Sequence, residues 1–440
     1  MGGHPRGLAV LAATELAERF SYYGMTALLA LYMTKQLLLP DHAGDVIGLA
    51  GLRSLMEWRG PLADQAFASL IYGWYGGLVY FTPILGGMVA DRLLGAKRTV
   101  TLGALLMAGG HVAMSFDASF LGALLLLILG SGLLKGNISA QVGALYAPEA
   151  DSERSRGFTI FSTGINIGSV LGPLSTGGVA ALYGWHAGFA LAAAVMFVAL
   201  GIYLFGQRFL PNQRPVARER EQLPPLTHEE TVRSWALVGL IALTILPNIA
   251  YTMIWNIGII WVDERVSLGT PFGAVPASWF TSIDAFASIA VVPPLLALWA
   301  ALARRGREPA SIAKFGIGAA IAGTSALLFV AGELFAGPDG RVAVWWAIAA
   351  YFGMGTAFMW YWPTLLAVVS QAAPPKLNAT MVSATYLSFF AGITIMGWVG
   401  SFYGEMGKVA FWAVDAAIGL AGALIIWLIK RPLSNRLGAG

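Results

Sequence analysis

The 440-residue sequence contains no cysteine, which excludes disulfide bridges and thiolate metal centres. Charge is scarce as well: 11% of residues are Asp, Glu, Lys or Arg, against about 25% in soluble domains. Five histidines, His4, His42, His111, His186 and His228, are scattered without ligand spacing, so no metal site is expected. The chain has no G-x-x-x-x-G-K-[ST] stretch, which argues against nucleotide-driven chemistry. Nor does any segment place a nucleophile beside a base at usable spacing, so an enzyme embedded in the membrane is not expected. What is abundant is apolar surface, with 57% hydrophobic residues and a mean hydropathy of +0.69. A chain of this kind is an integral membrane protein.

A bilayer core of about 30 Å takes roughly 20 apolar helical residues. Twelve such runs are predicted, near 8–34, 65–90, 98–116, 119–147, 156–182, 186–206, 233–262, 277–303, 311–334, 341–371, 377–403 and 407–430. Span 1 does not read as a cleaved signal peptide, because Glu15, Glu18 and Arg19 fall where such a peptide is apolar. With both termini cytoplasmic, nineteen Lys and Arg lie inside and six outside, namely Lys35, Arg53, Arg59, Arg265, Arg341 and Lys408. That imbalance sets the orientation, and the formal charge of +4 is read as topology, not as a nucleic-acid partner. The expected fold is an all-α, multi-pass cell-membrane protein with 12 transmembrane helices in two six-helix bundles, residues 1–206 and 233–440. Between them the cytoplasmic linker 207–232, "QRFLPNQRPVAREREQLPPLTHEETV", is rich in proline and charge. Such a plan forms a small-molecule site near the midplane. The outer stretch "VIGLAGLRSLMEWR", 46–59, predicts a short amphipathic helix, read as a packing element with a lid as the alternative.

Within span 1, "ELAERFSYYG" at 15–24 places two carboxylates and a guanidinium among apolar neighbours. At about 100° per residue, Glu15, Glu18, Arg19, Tyr22 and Tyr23 share one face while Phe20 and Gly24 point away. An ionised side chain at mid-membrane costs a few kcal/mol even on lenient scales, so this face lines a bundle interior or a wet path. One carboxylate satisfies the arginine, and the second is available to carry a proton. Lys135 of span 4 is too deep to snorkel and needs an anion or a wet cavity.

These residues resemble the proton-dependent oligopeptide transporters of the major facilitator superfamily, whose first helix carries E-x-x-E-R-F-x-Y-Y-G. "GGMVADRLLGAKRTVTLGALLMAGG" (86–110) is similar to the family's loop signature after the second helix, "LGSGLLKGNIS" (129–139) to its fourth helix, and "FTIFSTGINIGSVLGP" (158–173) to its fifth. "LWAALARRGREPASIAKFGIG" (298–318) and "AAPPKLNATMVSATYLS" (372–388) are similar to later cytoplasmic joints. The resemblance implies the major facilitator fold, no cofactor other than protons as coupling ion, and a monomer in the lipid bilayer. It implies that Arg19 and Lys135 receive a substrate carboxylate, with Tyr22, Tyr23, Tyr80 and Asn166 lining the pocket. Glu15 and Glu18 then carry the proton, and Asp91, Arg92, Lys97 and Arg98 form a cytoplasmic charge cluster that makes and breaks as the halves move.

The resemblance fails at two family acids. Span 7 has Ala250, Tyr251 and Thr252 where one is usual, and span 10 has Phe358 where alignment on Pro363 puts the other. Conversely, Asp284 stands in span 8 where asparagine is usual, and is expected to take over an acidic task as a proton site or amine partner. The family's common two-helix insertion between the halves is absent. The leading expectation is a proton-coupled symporter importing di- or tripeptides by alternating access. Trp360 and its neighbours Met359, Tyr361 and Trp362 offer a stacking surface that keeps open a non-peptide, aromatic substrate. A proton-driven exporter is the third reading.

Overall fold

The computed structural model describes residues 4–58, 60–147, 150–212, 225–271 and 273–437. Residues 213–224 of the predicted linker lie outside this set, with its Arg214, Arg218 and Arg220, and so does Arg59. The chain divides into two compact units, 1–68 with 78–219 and 69–77 with 220–440. The division differs from a cut at the linker alone, because residues 69–77 group with the second half.

In unit 1 the long helices are α1 (Arg6–Tyr32), α4 (Asp64–Val89), α5 (Ala96–Ala113), α6 (Phe120–Gly143), α7 (Asp151–Tyr183) and α8 (Trp185–Gly206). Two short helices, α2 (Pro40–Ala43) and α3 (Leu49–Met56), follow α1. In unit 2, α9 (His228–Leu243), α10 (Ile245–Thr252) and α11 (Ile257–Arg265) follow one another, as do α12 (Phe280–Ala290) and α13 (Val292–Arg304). A two-stranded hairpin of β1 (Gly269–Thr270) and β2 (Gly273–Ala274) separates these groups. The chain ends with α14 (Ser311–Leu334), α15 (Val344–Ala372), α16 (Asn378–Gly400) and α17 (Lys408–Leu437). Among the described residues, ten rods are long and apolar enough to cross a membrane. The stretches built on α1, with Arg6, Glu15, Glu18 and Arg19, and on α5, which opens on Lys97 and Arg98, are not among them.

Lipid gives helices no hydrophobic reason to associate, so small residues and interhelical hydrogen bonds set the pairs. Gly164, Gly168 and Gly172 of α7 recur every fourth residue and therefore share a face. A Cβ on them would strike the backbone of α1, at Ala12 O (2.8 Å), Phe20 N (2.8 Å) and Gly24 N (3.0 Å) in turn. Thr176 Oγ1 closes the same seam by donating to Gly24 O at 2.9 Å. On α6, Gln141 and Tyr203 of α8 exchange hydrogen bonds at 2.8 and 3.1 Å, and Asn137 Nδ2 donates to Gly86 O of α4 at 3.1 Å. At one end of unit 1, Asp117 accepts from Tyr32 and pairs with His42 and His186. The predicted amphipathic helix forms as α3, with only Leu49 buried while Leu55 and Trp58 are exposed. Arg53 anchors it to Glu57 (3.0 Å) and Asp64 (2.6 Å).

In unit 2 the same logic joins α14 to α17, where a Cβ on Gly419 would lie 2.8 Å from Gly323 Cα. Segment 69–77 belongs here because Gly73 meets Gly397 backbone to backbone and Ser69 Oγ donates to Gly397 O at 2.9 Å. Spans 7 and 8, read from the sequence as unbroken, are both interrupted. Pro247 cannot donate to the preceding turn, and Asn256 leaves the helical region at φ −113°, ψ −85° between α10 and α11. Pro293 and Pro294 likewise lack the N–H groups that would carry α12 through, and the rod restarts as α13 at Val292.

Candidate functional site

The periodicity argument for α1 places its charged face inward, and the structure buries it within unit 1. Glu15, Glu18 and Arg19 are 3%, 0% and 2% exposed. Arg19 Nε stands 3.0 Å from Glu15 Oε1 and closer still to Glu18 Oε2. Neither approach has hydrogen-bond alignment, and Arg19 Nη2, Glu15 Oε2 and Glu18 Oε1 have no hydrogen-bond partner among the described residues. The guanidinium lies over the Tyr22 ring at 5.4 Å, and Tyr23 meets Tyr22 edge-on at 5.2 Å. Lys135 arrives from α6 with its ammonium 4.3 Å from the Tyr80 ring centroid and 5.2 Å from that of Tyr22. Its Nζ is buried and has no hydrogen-bond partner among the described residues. Two carboxylates, a guanidinium and an ammonium thus share one buried region with formally balanced charge.

Such a group is costly to assemble: a buried ion pair loses hydration, and removing one partner costs about 3–5 kcal/mol because the other charge is then stranded. The donor set is not exhausted by its own acids. An Nη2 and an Nζ without acceptors suit a carboxylate, which a guanidinium grips by a fork and an ammonium by a point charge. Gly168 positions this group, since a Cβ there would approach Arg19 Cβ to 2.9 Å. Asn166, two residues earlier on α7, is half-buried, and its carbonyl accepts from Ser169 Oγ at 2.9 Å.

Of the four residues of the expected cytoplasmic cluster, Lys97 has its hydrogen-bond partners outside the cluster. Lys97 Nζ donates to Gln207 O (2.9 Å) and Asn212 Oδ1 (2.7 Å), bracing the end of α8. Asp91 and Arg92 are exposed on a π-helical turn and Arg98 is exposed on α5. Among the described residues no ion pair joins the four.

Unit 2 carries a second arrangement, around Asp284 of α12, which is 5% exposed. Tyr251 Oη and Trp255 Nε1 both donate to its Oδ2 at 3.2 Å, while Oδ1 has no hydrogen-bond partner among the described residues. Tyr251 lies in the last turn of α10 and Trp255 in the interruption after it, where Tyr351 Oη donates to the buried Ile254 carbonyl at 2.8 Å. The sequence reading treated Tyr251 only as the place of a missing acid and did not single out Trp255. Their i, i+4 spacing is the signal that aims both at one partner. Gly355 of α15 leaves room for the carboxylate, since a Cβ there would stand 3.1 Å from Oδ1. Phe358 stacks on Tyr251 with centroids 5.0 Å apart and Trp362 stacks on Phe358 at 6.1 Å. Trp360 instead packs edge-on against Trp299 of α13 at 5.5 Å.

With this geometry in place, comparison with known proteins is informative. The family model described as the POT family matches residues 97–222 and 227–408, which excludes the 15–24 motif. Full-length relatives include that motif's region. The di-/tripeptide transporter of Lactococcus lactis subsp. cremoris is 31% identical, with 99% of this chain and 97% of the relative covered. Among solved structures, a peptide transporter POT in complex with sulfate superposes with a TM-score of 0.87 at 26% identity, covering 100% of this chain and 97% of that one. A POT family transporter in complex with 5-aminolevulinic acid gives a TM-score of 0.86 at 25% identity, covering 99% and 98%. These are membrane transporters that take small molecules, not enzymes. The chain belongs to the POT family.

Proposed function

We propose that the protein is a proton-coupled symporter that imports di- or tripeptides across the cell membrane by alternating access, without a cofactor. The observation that carries this reading is the buried group in which Arg19 Nη2 and Lys135 Nζ lie near Glu15 and Glu18 but have no hydrogen-bond acceptor among the described residues. A substrate carboxylate docks on the two cations, and protonation of a glutamate weakens its hold on Arg19 and frees the guanidinium for that carboxylate. One charge crossing 100 mV releases about 2.3 kcal/mol, so one proton supports roughly fortyfold accumulation. The printed description of the Lactococcus lactis relative as a di-/tripeptide transporter supports the substrate class. Asp284 receives the substrate's amino group or a second proton, a reading supported by its buried Oδ1, which has no hydrogen-bond partner among the described residues, in a chain that lacks the two family acids.

Twelve spans with both termini cytoplasmic, acting as a monomer, complete the proposal, supported by the nineteen-to-six split of basic residues. A second reading, an aromatic non-peptide substrate, is favoured by the Tyr251–Phe358–Trp362 stack beside Asp284. The deciding experiment is uptake of labelled dialanine into proteoliposomes under an imposed inward proton gradient. Gradient-dependent accumulation above equilibrium supports symport; efflux driven by the reverse gradient alone would identify an exporter. Competition by aromatic acids but not by peptides would move the assignment to the second reading. Because the chain has no cysteine, a single engineered cysteine at Asn435 reports the side of the carboxyl terminus by impermeant labelling.

A further inference from the structure

A groove of about 480 Å³ runs along the seam of α14 and α17 in unit 2. Its floor is made by residues too small to fill it, Gly316 and Ala320 on α14 and Ala423 on α17, and Trp427 forms a wall. Trp427 is 62% exposed and Leu424 57%, so this face is turned away from the unit's core. The lining is apolar except at one end, where Lys430 enters. Its ammonium lies 4.9 Å from the Trp427 ring centroid and forms no ion pair among the described residues. After Asp415 the chain has no acidic residue, while Lys430, Arg431 and Arg436 follow. Lys314, on the neighbouring helix, is already matched by Glu308 at 2.5 Å.

The opposite wall at this end is the first turn of α14, from which Ile312 lines the groove. Its N-cap is Ala310, and no side chain caps its first N–H groups. An uncapped helix start attracts an anion. From Ile312 to Ala320 the groove covers eight rises of about 1.5 Å, about 12 Å, close to the roughly 15 Å of half a hydrocarbon core. A cationic head at one end, a one-leaflet depth of apolar wall and a tryptophan at the boundary form the negative image of one kind of molecule.

We propose that this groove binds an anionic phospholipid, with an acyl chain between α14 and α17 and its phosphate at Lys430. Placing that lipid in the inner leaflet rests on the cytoplasmic carboxyl terminus proposed above; the binding itself does not. The leaflet where anionic lipids concentrate on the cytoplasmic side supplies the charge complementarity.

Native mass spectrometry of the full-length purified protein tests this, with phosphatidylglycerol and phosphatidylcholine of identical chains as probes and glycerol phosphate as the free headgroup. Wild type is expected to retain phosphatidylglycerol in preference to phosphatidylcholine. Lys430→Gln is expected to lower phosphatidylglycerol retention about fivefold, the scale for one lysine at an anionic surface, and to leave phosphatidylcholine unchanged. Ala320→Phe, which fills the groove, is expected to lower retention of both lipids; if it fails to fold, Ala423→Leu serves instead. Lys408→Gln, removing a lysine that pairs with Glu264 elsewhere, is the control and keeps wild-type values. Unchanged retention in both Lys430→Gln and the groove-filling variant overturns the site, and displacement of phosphatidylglycerol by equimolar glycerol phosphate overturns the acyl-chain part. Retention is read without transport, so loss of peptide uptake does not bear on it, and labelling at residue 435 separately checks the leaflet.

Discussion

Gly168→Ala is the substitution in which packing and chemistry meet. The added methyl would run into Leu16 O and stand 2.8 Å from Phe20 N and 2.9 Å from Arg19 Cβ, where ordinary contact begins at 3.4 Å. Relief requires α1 to retreat by about 0.5 Å at Arg19 and about 1 Å at Leu16 O, and two of the three obstructions are backbone atoms that no rotamer can remove. Overpacking of this kind costs about 1–3 kcal/mol. Gly201→Ala is the matched control, because nothing lies within 4 Å of a Cβ there, and alanine in a helix is neutral to stabilising by about 1 kcal/mol. The pair is compared by thermal unfolding in detergent and by uptake kinetics in proteoliposomes. Gly168→Ala should melt below wild type and raise KM for a carboxylate substrate, since the guanidinium is displaced, while Gly201→Ala should do neither. If the two variants melt together and share the wild-type KM, the α1–α7 seam does not position Arg19.

Four further outcomes are expected. Glu15→Gln or Glu18→Gln should abolish gradient-driven accumulation while sparing counterflow exchange; full pH-driven accumulation in both would refute the role of the pair. Amidating the carboxylate of a confirmed substrate should weaken binding by about 2 kcal/mol, roughly thirtyfold, and equal affinity of acid and amide would remove Arg19 and Lys135 as its receptors. Asp284→Asn keeps shape and removes the titratable group, so it should shift the pH profile of uptake or the preference for amine-bearing over N-acetylated substrates; no change in either makes Asp284 a structural hydrogen-bond acceptor. In the outer loop, the Leu62 N–H and Arg53 hold the Glu57 carboxyl below its ordinary 4.5. The anchor of α3 is therefore complete above that value and is lost as pH falls through the lower folded one, which hydrogen exchange of amides 50–62 between pH 6 and 3 should detect and Glu57→Gln should flatten.

Residue order alone was enough for whatever depends on a local period. The 3.6-residue turn puts Glu15, Glu18, Arg19 and Tyr22 on one face, and the cost of ionised groups in lipid turns that face inward, so the burial of Glu18 and Arg19 at 0% and 2% follows from spacing and solvation. Hydropathy similarly marks ten of the rods among the described residues, because each satisfies its own backbone and needs no neighbour to do so. Partnership between rods was not legible. Many glycines in this chain recur at four-residue spacing, and nothing local says that Gly164, Gly168 and Gly172 meet α1 while Gly323 meets Gly419; close fit of two whole helix surfaces decides that. Lys135 could be read as needing an anion or water, yet its ammonium rests over the rings of Tyr80 and Tyr22, since the rings come from helices whose approach is set elsewhere. Asp284 owes its two donors to an interruption after α10 that a hydropathy reading passes over, because broken and unbroken helices are equally apolar. What the sequence determined was thus the inward face of α1; the tertiary structure determined what that face meets, because partners distant along the chain converge only when the packing of every rod between them is settled.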